Sequence, residues 1–195
     1  MGERLHEERK ATVSYACSPH YVHSALFPFI AQLERSAGFS PTDSSEARLS
    51  RLESLLRQTG AEPGDALALI ADLLGIPGGT RSAIDAMSPV QRKWLLLRTF
   101  LAQLERLAAV GPVLMVLEDA HWLDPTSREL FDQIIDRLQR LPVLLVVTFR
   151  PVLFPPWIGF PHVTLLTLNR LTQPQARLLV ERVAGGKALP SEVIE

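Results

Sequence analysis

The run Val113-Leu-Met-Val-Leu117, followed at once by Glu118-Asp119 and then by Asp124-Pro125, limits this chain more than any other feature. An apolar run without polar alternation reads as a strand buried on both faces of a parallel sheet, since a half-exposed strand would alternate. Asp-Pro supplies a helix N-cap with Pro at the first helical position. Val143 to Phe149 repeats the character of the first run, and Ala11 to Cys17 is a shorter, β-rich segment. His162 to Leu168 is a fourth strand candidate that alternates apolar and polar residues.

Helical patterns lie between these runs. Ser24 to Ala37 carries Leu26, Phe29, Ile30 and Leu33 and stops near Gly38. Asp43 and Glu46 form a capping-box-like pair ahead of Leu49, Leu52, Leu55 and Leu56, with Gly60 as the stop. Asp65 precedes Ala66 to Leu74, and Gly75 and Pro77 close that helix. Ser88-Pro-Val-Gln91 opens a long helix through Leu107, Asp124-Pro125 opens one through Leu138, and Thr172 with Gln175 opens one ending at Gly185-Gly186. Ala61 to Gly64 and Gly75 to Arg81 read as turns in a helical insertion, and Arg150 to Pro161, with its four prolines, as a loop. Alternating strands and helices of this kind predict an α/β sandwich on a mostly parallel sheet, without internal repeats.

At 195 residues the chain has room for one sizeable core and the start of a second domain. The charge balance, 20 Lys+Arg against 21 Asp+Glu, gives no reason to expect nucleic acid or a membrane surface as a partner. The single cysteine, Cys17, cannot form an intrachain disulfide and suits a reducing cytosol. The charged opening Met1 to Lys10 has no apolar core of a signal peptide, and no apolar stretch approaches the ~18 residues of a membrane span. A soluble, cytoplasmic protein is the expectation.

Glu118 and Asp119 are the candidate chemical groups. Open α/β sheets bind ligands at the carboxyl ends of their strands, where this pair lies, and paired carboxylates offer the hard oxygens that Mg²⁺ requires. A solvated turn after a strand is the plain alternative. A transition-metal set of Glu118, Asp119, His121 and Asp124 straddles a strand end and a helix cap, and capping already accounts for Asp124. Thr148 and Arg150, after the next apolar run, could reach a phosphate, the arginine as a fork of donors, or could simply end a strand. His20 and His23, on either side of Tyr21, have no nucleophile paired with them. Gly185-Gly-Lys187 is a helix C-cap and not a phosphate loop, because Ala188 stands where Ser or Thr is needed. No G-x-x-x-x-G-K-[ST] occurs in the 195 residues.

Four segments together carry a family resemblance: Cys17 to Phe39 (CSPHY…ALFP…QLERSAGF), Leu114 to Ser127 (LMVLEDAHWLDPTS), Val147 to Pro151 (VTFRP) and His162 to Leu171 (HVTLLTLNRL). From about Ala11 to Glu195 the chain resembles the AAA-type ATPase module of bacterial signal-transducing NTPases with numerous domains (the STAND class). It looks most like the segment that follows class III adenylate/guanylate cyclase domains.

The resemblance implies a three-layer, P-loop-NTPase-like parallel sheet lacking its first strand, with a helical insertion. Residues 1–170 would be a partial ATPase core and 171–195 the start of a helical lid. It makes the acidic strand the Walker B element, with Glu118 at the Mg²⁺-associated position and Asp119 orienting the attacking water. Thr148 and Arg150 match the sensor strand that reads the γ-phosphate. ATP and Mg²⁺ are the implied cofactors, and a linked signalling domain the implied partner. The family's first strand and phosphate loop would precede Met1, so the chain reads as truncated and inactive alone. Two other readings are a non-enzymatic interaction or scaffold domain derived from such an ATPase, and a DExH-like helicase fragment prompted by Glu-Asp-Ala-His. The inverted acid order and the lack of a basic surface speak against the helicase.

Overall fold

The computed structural model describes residues 11–58, 64–77, 82–153 and 155–185. Met1 to Lys10, Gly60, most of both glycine turns, and Gly186-Lys187 lie outside the described residues. The chain forms two compact units, Met1–Phe160 and Pro161–Glu195.

In the first unit three strands, β1 (Ala11–Ala16), β2 (Val113–Glu118) and β3 (Val143–Val147), form a parallel sheet in the order β1-β2-β3. Ala11 lies opposite Val113, and Val113 opposite Val143, so all three strands run in step toward one carboxyl edge. The connection from β1 to β2 holds α1 (Phe27–Ala37), α2 (Ser45–Gln58), α3 (Gly64–Leu73), the short α4 (Ser82–Asp85) and α5 (Pro89–Val110). A single helix, α6 (Pro125–Arg137), connects β2 to β3. This is the expected α/β architecture on a parallel sheet.

Parallel crossovers are right-handed, so strands added successively in one direction place all their connecting helices on one face. Val113, Met115 and Leu117 of β2 are buried on that face. There they join Tyr15, Phe29, Phe100, Leu104, Phe131 and Ile134 in one core. Tyr15 is wedged between Phe29 and Phe131, with ring centroids at 4.8 and 5.3 Å. The opposite face is not sealed in the way the continuous apolar runs suggested. Leu144 and Val146 are exposed, and Leu114 and Val116 are half-buried.

Several helix ends follow the local code. Ser88 Oγ accepts the Gln91 N–H at 3.3 Å while Gln91 Oε1 accepts the Ser88 N–H at 2.8 Å. The cap of α2 is a correction. Asp43 turns back to accept the Ser40 N–H, and Ser44, directly before the helix, accepts the Ala47 N–H at 3.2 Å. A capping side chain must stand next to the first helical residue, and Asp43 stands one position too early.

The second unit holds an extended stretch and α7 (Gln173–Val183), where Gln175 Oε1 accepts the Thr172 N–H at 2.9 Å. His162 to Leu168 is not a strand. A strand needs a ladder partner for its backbone, and the sheet formed by the described residues holds only β1, β2 and β3. Leu165, Leu166 and Leu168 are exposed. No helix among the described residues is long and apolar enough to cross a membrane.

Candidate acidic site at the carboxyl edge of the sheet

The in-register strands bring their ends to one edge, where Ala16 lies opposite Glu118 and Leu117 opposite Val147. Backbone bonds extend the alignment past the strands. The Cys17 N–H donates to the Glu118 carbonyl at 3.0 Å, and the Thr148 N–H to the Leu117 carbonyl at 2.9 Å. Thr148 then holds the acidic turn twice, its carbonyl accepting the Ala120 N–H at 2.9 Å and its Oγ1 the Asp119 N–H at 3.1 Å. Glu118, Asp119 and Thr148 are thus brought together by the strand register, backbone bonds and the Thr148 hydroxyl.

Asp119 has φ 56° and ψ 43°, in the left-handed region. A non-glycine residue there costs roughly 1–2 kcal/mol, and Asp tolerates it better than most. The two bonds from Thr148 and the Trp122 N–H donating to the Asp119 carbonyl at 2.9 Å offset that cost. The kink ends β2 abruptly and starts a single 3₁₀ turn, Ala120–Trp122. It leaves the Asp119 side chain 59% exposed. Glu118 is exposed as well, and among the described residues no hydrogen bond or ion pair engages its carboxylate. Two exposed hard-oxygen carboxylates thus stand at the end of the central strand, with only His121 near one of them, 3.9 Å from Asp119 Oδ1.

Asp124 behaves differently. It is 2% exposed. Its Oδ1 accepts the N–H groups of Thr126 and Ser127, both at 3.0 Å, which is the expected cap of α6. The same oxygen also accepts the Leu26 N–H at 3.2 Å, from a residue 98 positions earlier. Leu26 has φ 59°, so this bond stabilises a strained turn where the chain enters α1. Asp124 is therefore a structural tie, and no group of three or more His, Cys, Asp or Glu among the described residues is arranged to hold a metal. Mg²⁺ needs fewer protein ligands, because it keeps several waters and takes phosphate oxygens.

Two further residues complete the surroundings. The Cys17 thiol is buried, and its pKa is pushed up to about 12, first by desolvation and then by the Asp124 and Asp119 carboxylates. The His121 side chain is 3% exposed and packs against Trp122 at 4.9 Å between ring centroids. Neither of its ring nitrogens has a hydrogen-bond partner among the described residues.

Arg150 is exposed beyond the end of β3, and no hydrogen bond or ion pair holds its guanidinium among the described residues. His20 and His23 are exposed in the turn after β1, where Tyr21 and Phe27 stack at 3.7 Å. Sequence reasoning met His121 only within the metal set. Its burial was not legible there, although its place two residues after the acid was.

The sequence profile described as "AAA ATPase domain" matches residues 3–147, more than half of the chain. An uncharacterized protein of Rhizobium meliloti (strain 1021), R02095, is 28% identical over 183 residues, which cover 91% of this chain and 17% of that protein. The chain thus spans a small part of the length of the relative it matches. No solved structure matches it.

Proposed function

We infer, because this chain belongs to the AAA ATPase domain family, that it is the acid-and-sensor part of an ATP·Mg²⁺ switch in a multidomain signalling protein of the STAND class. In that reading residues 1–170 are ATPase core and residues 171–195 begin a helical lid. The complete protein is cytoplasmic, and its nucleotide state regulates a linked output domain such as a nucleotide cyclase. The observation that carries the reading is the Thr148 hydroxyl bonded to the backbone of Asp119 at 3.1 Å. A hydroxyl that accepts from Asp119 still has its own proton to donate. Thr148 can therefore touch a phosphate oxygen and the backbone of the water-orienting acid at once.

Glu118 and Asp119, with no Lys or Arg ion pair among the described residues, fit Mg²⁺ as its one or two carboxylate ligands. When bound, the ion supplies charge neutralisation to the phosphates. Asp119 orients water from the end of the central strand, and Arg150, exposed and without an ion pair among the described residues, offers planar donors to a terminal phosphate. Within these 195 residues no G-x-x-x-x-G-K-[ST] supplies the backbone N–H cradle for a triphosphate. The chain alone therefore binds ATP weakly or not at all.

The test is a composite in which a strand and phosphate loop from a relative are joined ahead of Ala11. It should bind ATP·Mg²⁺ and hydrolyse it slowly. Asp119→Asn should keep binding and reduce hydrolysis by about 10²–10⁴-fold. Glu118→Gln should weaken the Mg²⁺ dependence of binding, and Arg150→Ala should blur ATP against ADP. If all three variants matched the parent, the acids would only end a strand, and an interaction or scaffold domain would be the better reading.

A further inference from the structure

His121 presents an unusual combination. Its side chain is 3% exposed, both ring nitrogens are shielded from solvent, and neither has a hydrogen-bond partner among the described residues. Buried polar groups are nearly always paired, because an orphaned donor or acceptor forfeits its hydration without return. The nearest carboxylate is Asp119, whose Oδ1 lies 3.9 Å from Nδ1. That is about 1 Å longer than the commonest N–H···O hydrogen bond.

Which partner can close the gap follows from their surroundings. The imidazole is packed against Trp122 and fixed by the 3₁₀ turn Ala120–Trp122. The Asp119 backbone is fixed too, by Thr148 and by its left-handed φ. The Asp119 side chain, 59% exposed, is the part free to turn. The left-handed kink also matters because it reverses the chain at once, so that the residue two positions on lies beside the acid.

We propose that His121 is a positioning residue for Asp119, its Nδ1–H donating to one carboxylate oxygen so that the other is aimed at the reacting water. An exposed carboxylate on a kinked turn samples many directions, and a buried donor at fixed distance selects one. The catalytic half of the proposal rests on the reading of Asp119 as the water-orienting acid; the hydrogen bond itself does not.

The bond is tested on the full chain labelled with ¹⁵N-histidine, in solution or as a magic-angle-spinning sample. The ¹⁵N shifts report which ring nitrogen carries the proton, and H121N identifies the His121 signals. His121 should be the Nδ1–H tautomer, against the Nε2–H preference of imidazole in water, and Asp119→Ala should shift it toward Nε2–H. An Nε2–H ring indifferent to Asp119→Ala overturns the pairing.

In the phosphate-loop composite, H121N keeps an amide N–H near the Nδ1 position and should stay close to the parent. H121Q places its amide near Nε2 and should lower kcat by about 10–100-fold with KM little changed, the penalty of a misaimed group. Equal kcat for H121Q and parent overturns the positioning role. A composite that hydrolyses nothing, with the tautomer result intact, would instead refute the ATPase reading and leave the pairing established.

Discussion

Removing the Asp124 carboxylate should cost about 2–4 kcal/mol of stability, more than an ordinary cap, and the excess has a definite origin. One oxygen accepts three backbone N–H groups, from Leu26 at 3.2 Å and from Thr126 and Ser127 at 3.0 Å. Loss of a helix cap alone costs about 1 kcal/mol, within a range of roughly 0.5–2. In Asp124→Ala the Leu26 N–H also becomes a buried donor without an acceptor, which adds about 1–3 kcal/mol. Relief at Leu26, whose left-handed φ of 59° need no longer be held, returns at most about 1–2 kcal/mol if the turn rearranges. That relief is not realised and the two losses stand in full, because Leu26 is 3% exposed and packed in the core, which holds the turn in place.

Asp124→Ser separates the contributions. A serine at the N-cap can still serve the first turn of α6, but its shorter side chain falls short of Leu26. It should recover about 1 kcal/mol of the loss and no more. Urea unfolding of parent, Asp124→Ser and Asp124→Ala, compared at a common slope, gives both differences. If Asp124→Ala lost under about 1 kcal/mol, or if Asp124→Ser matched the parent, the long-range tie would carry no energy and the reasoning would fail.

Alkaline pH should destabilise the chain through Cys17. Its thiol is raised from an ordinary value of 9.0 to about 12, so the folded state holds a proton that the unfolded state releases. That contribution is complete well below pH 9 and falls as pH rises, by about 1–2 kcal/mol at pH 10. Tyr15, raised by burial, acts in the same direction, so Cys17→Ala should flatten the slope between pH 8 and 10 without abolishing it. Identical slopes for parent and variant would show that the thiol is not desolvated. Separately, titration of the unmodified chain with a fluorescent ATP analogue and Mg²⁺ should show no saturable binding; low-micromolar affinity would refute the weak-binding expectation.

What the sequence made legible was local. The caps at Ser88-Gln91, Asp124 and Thr172-Gln175 depend on residues a few positions apart, and each stands where the pattern put it. The acids and Thr148 were identifiable because an apolar run that stops at polar residues marks a strand's carboxyl end. The second bond of Asp124 was not legible, since nothing local links it to a residue 98 positions away. Nor was the burial of His121, which depends on how one turn packs. The error at His162 to Leu168 has the same cause: composition can suggest an extended segment, but only a neighbour makes it a strand.

The exposed face of the sheet and the outer position of β3 among the described strands arise from one topological fact. The strands progress from β1 to β2 to β3 in a single direction, so right-handed crossovers put their helices on the Phe29–Phe131 side. A strand added beside β3 whose crossover turned back the other way would put a helix on the opposite face, over Leu144 and Val146. The cost of Leu144→Lys should therefore depend strongly on context. In the present chain Leu144 is 61% exposed. The substitution should cost under about 0.5 kcal/mol and reduce self-association, because Val143-Leu-Leu-Val-Val147 is an edge without a charge or a proline. In the composite with a strand and phosphate-loop helix restored, the same lysine would lie under a helix. It should then destabilise by several kcal/mol, as an unpaired buried charge does. Sedimentation velocity of the chain and urea unfolding of both proteins measure the two effects. A lysine equally harmless in both would mean that the restored segment does not cover this face, and the argument from crossover handedness would be wrong.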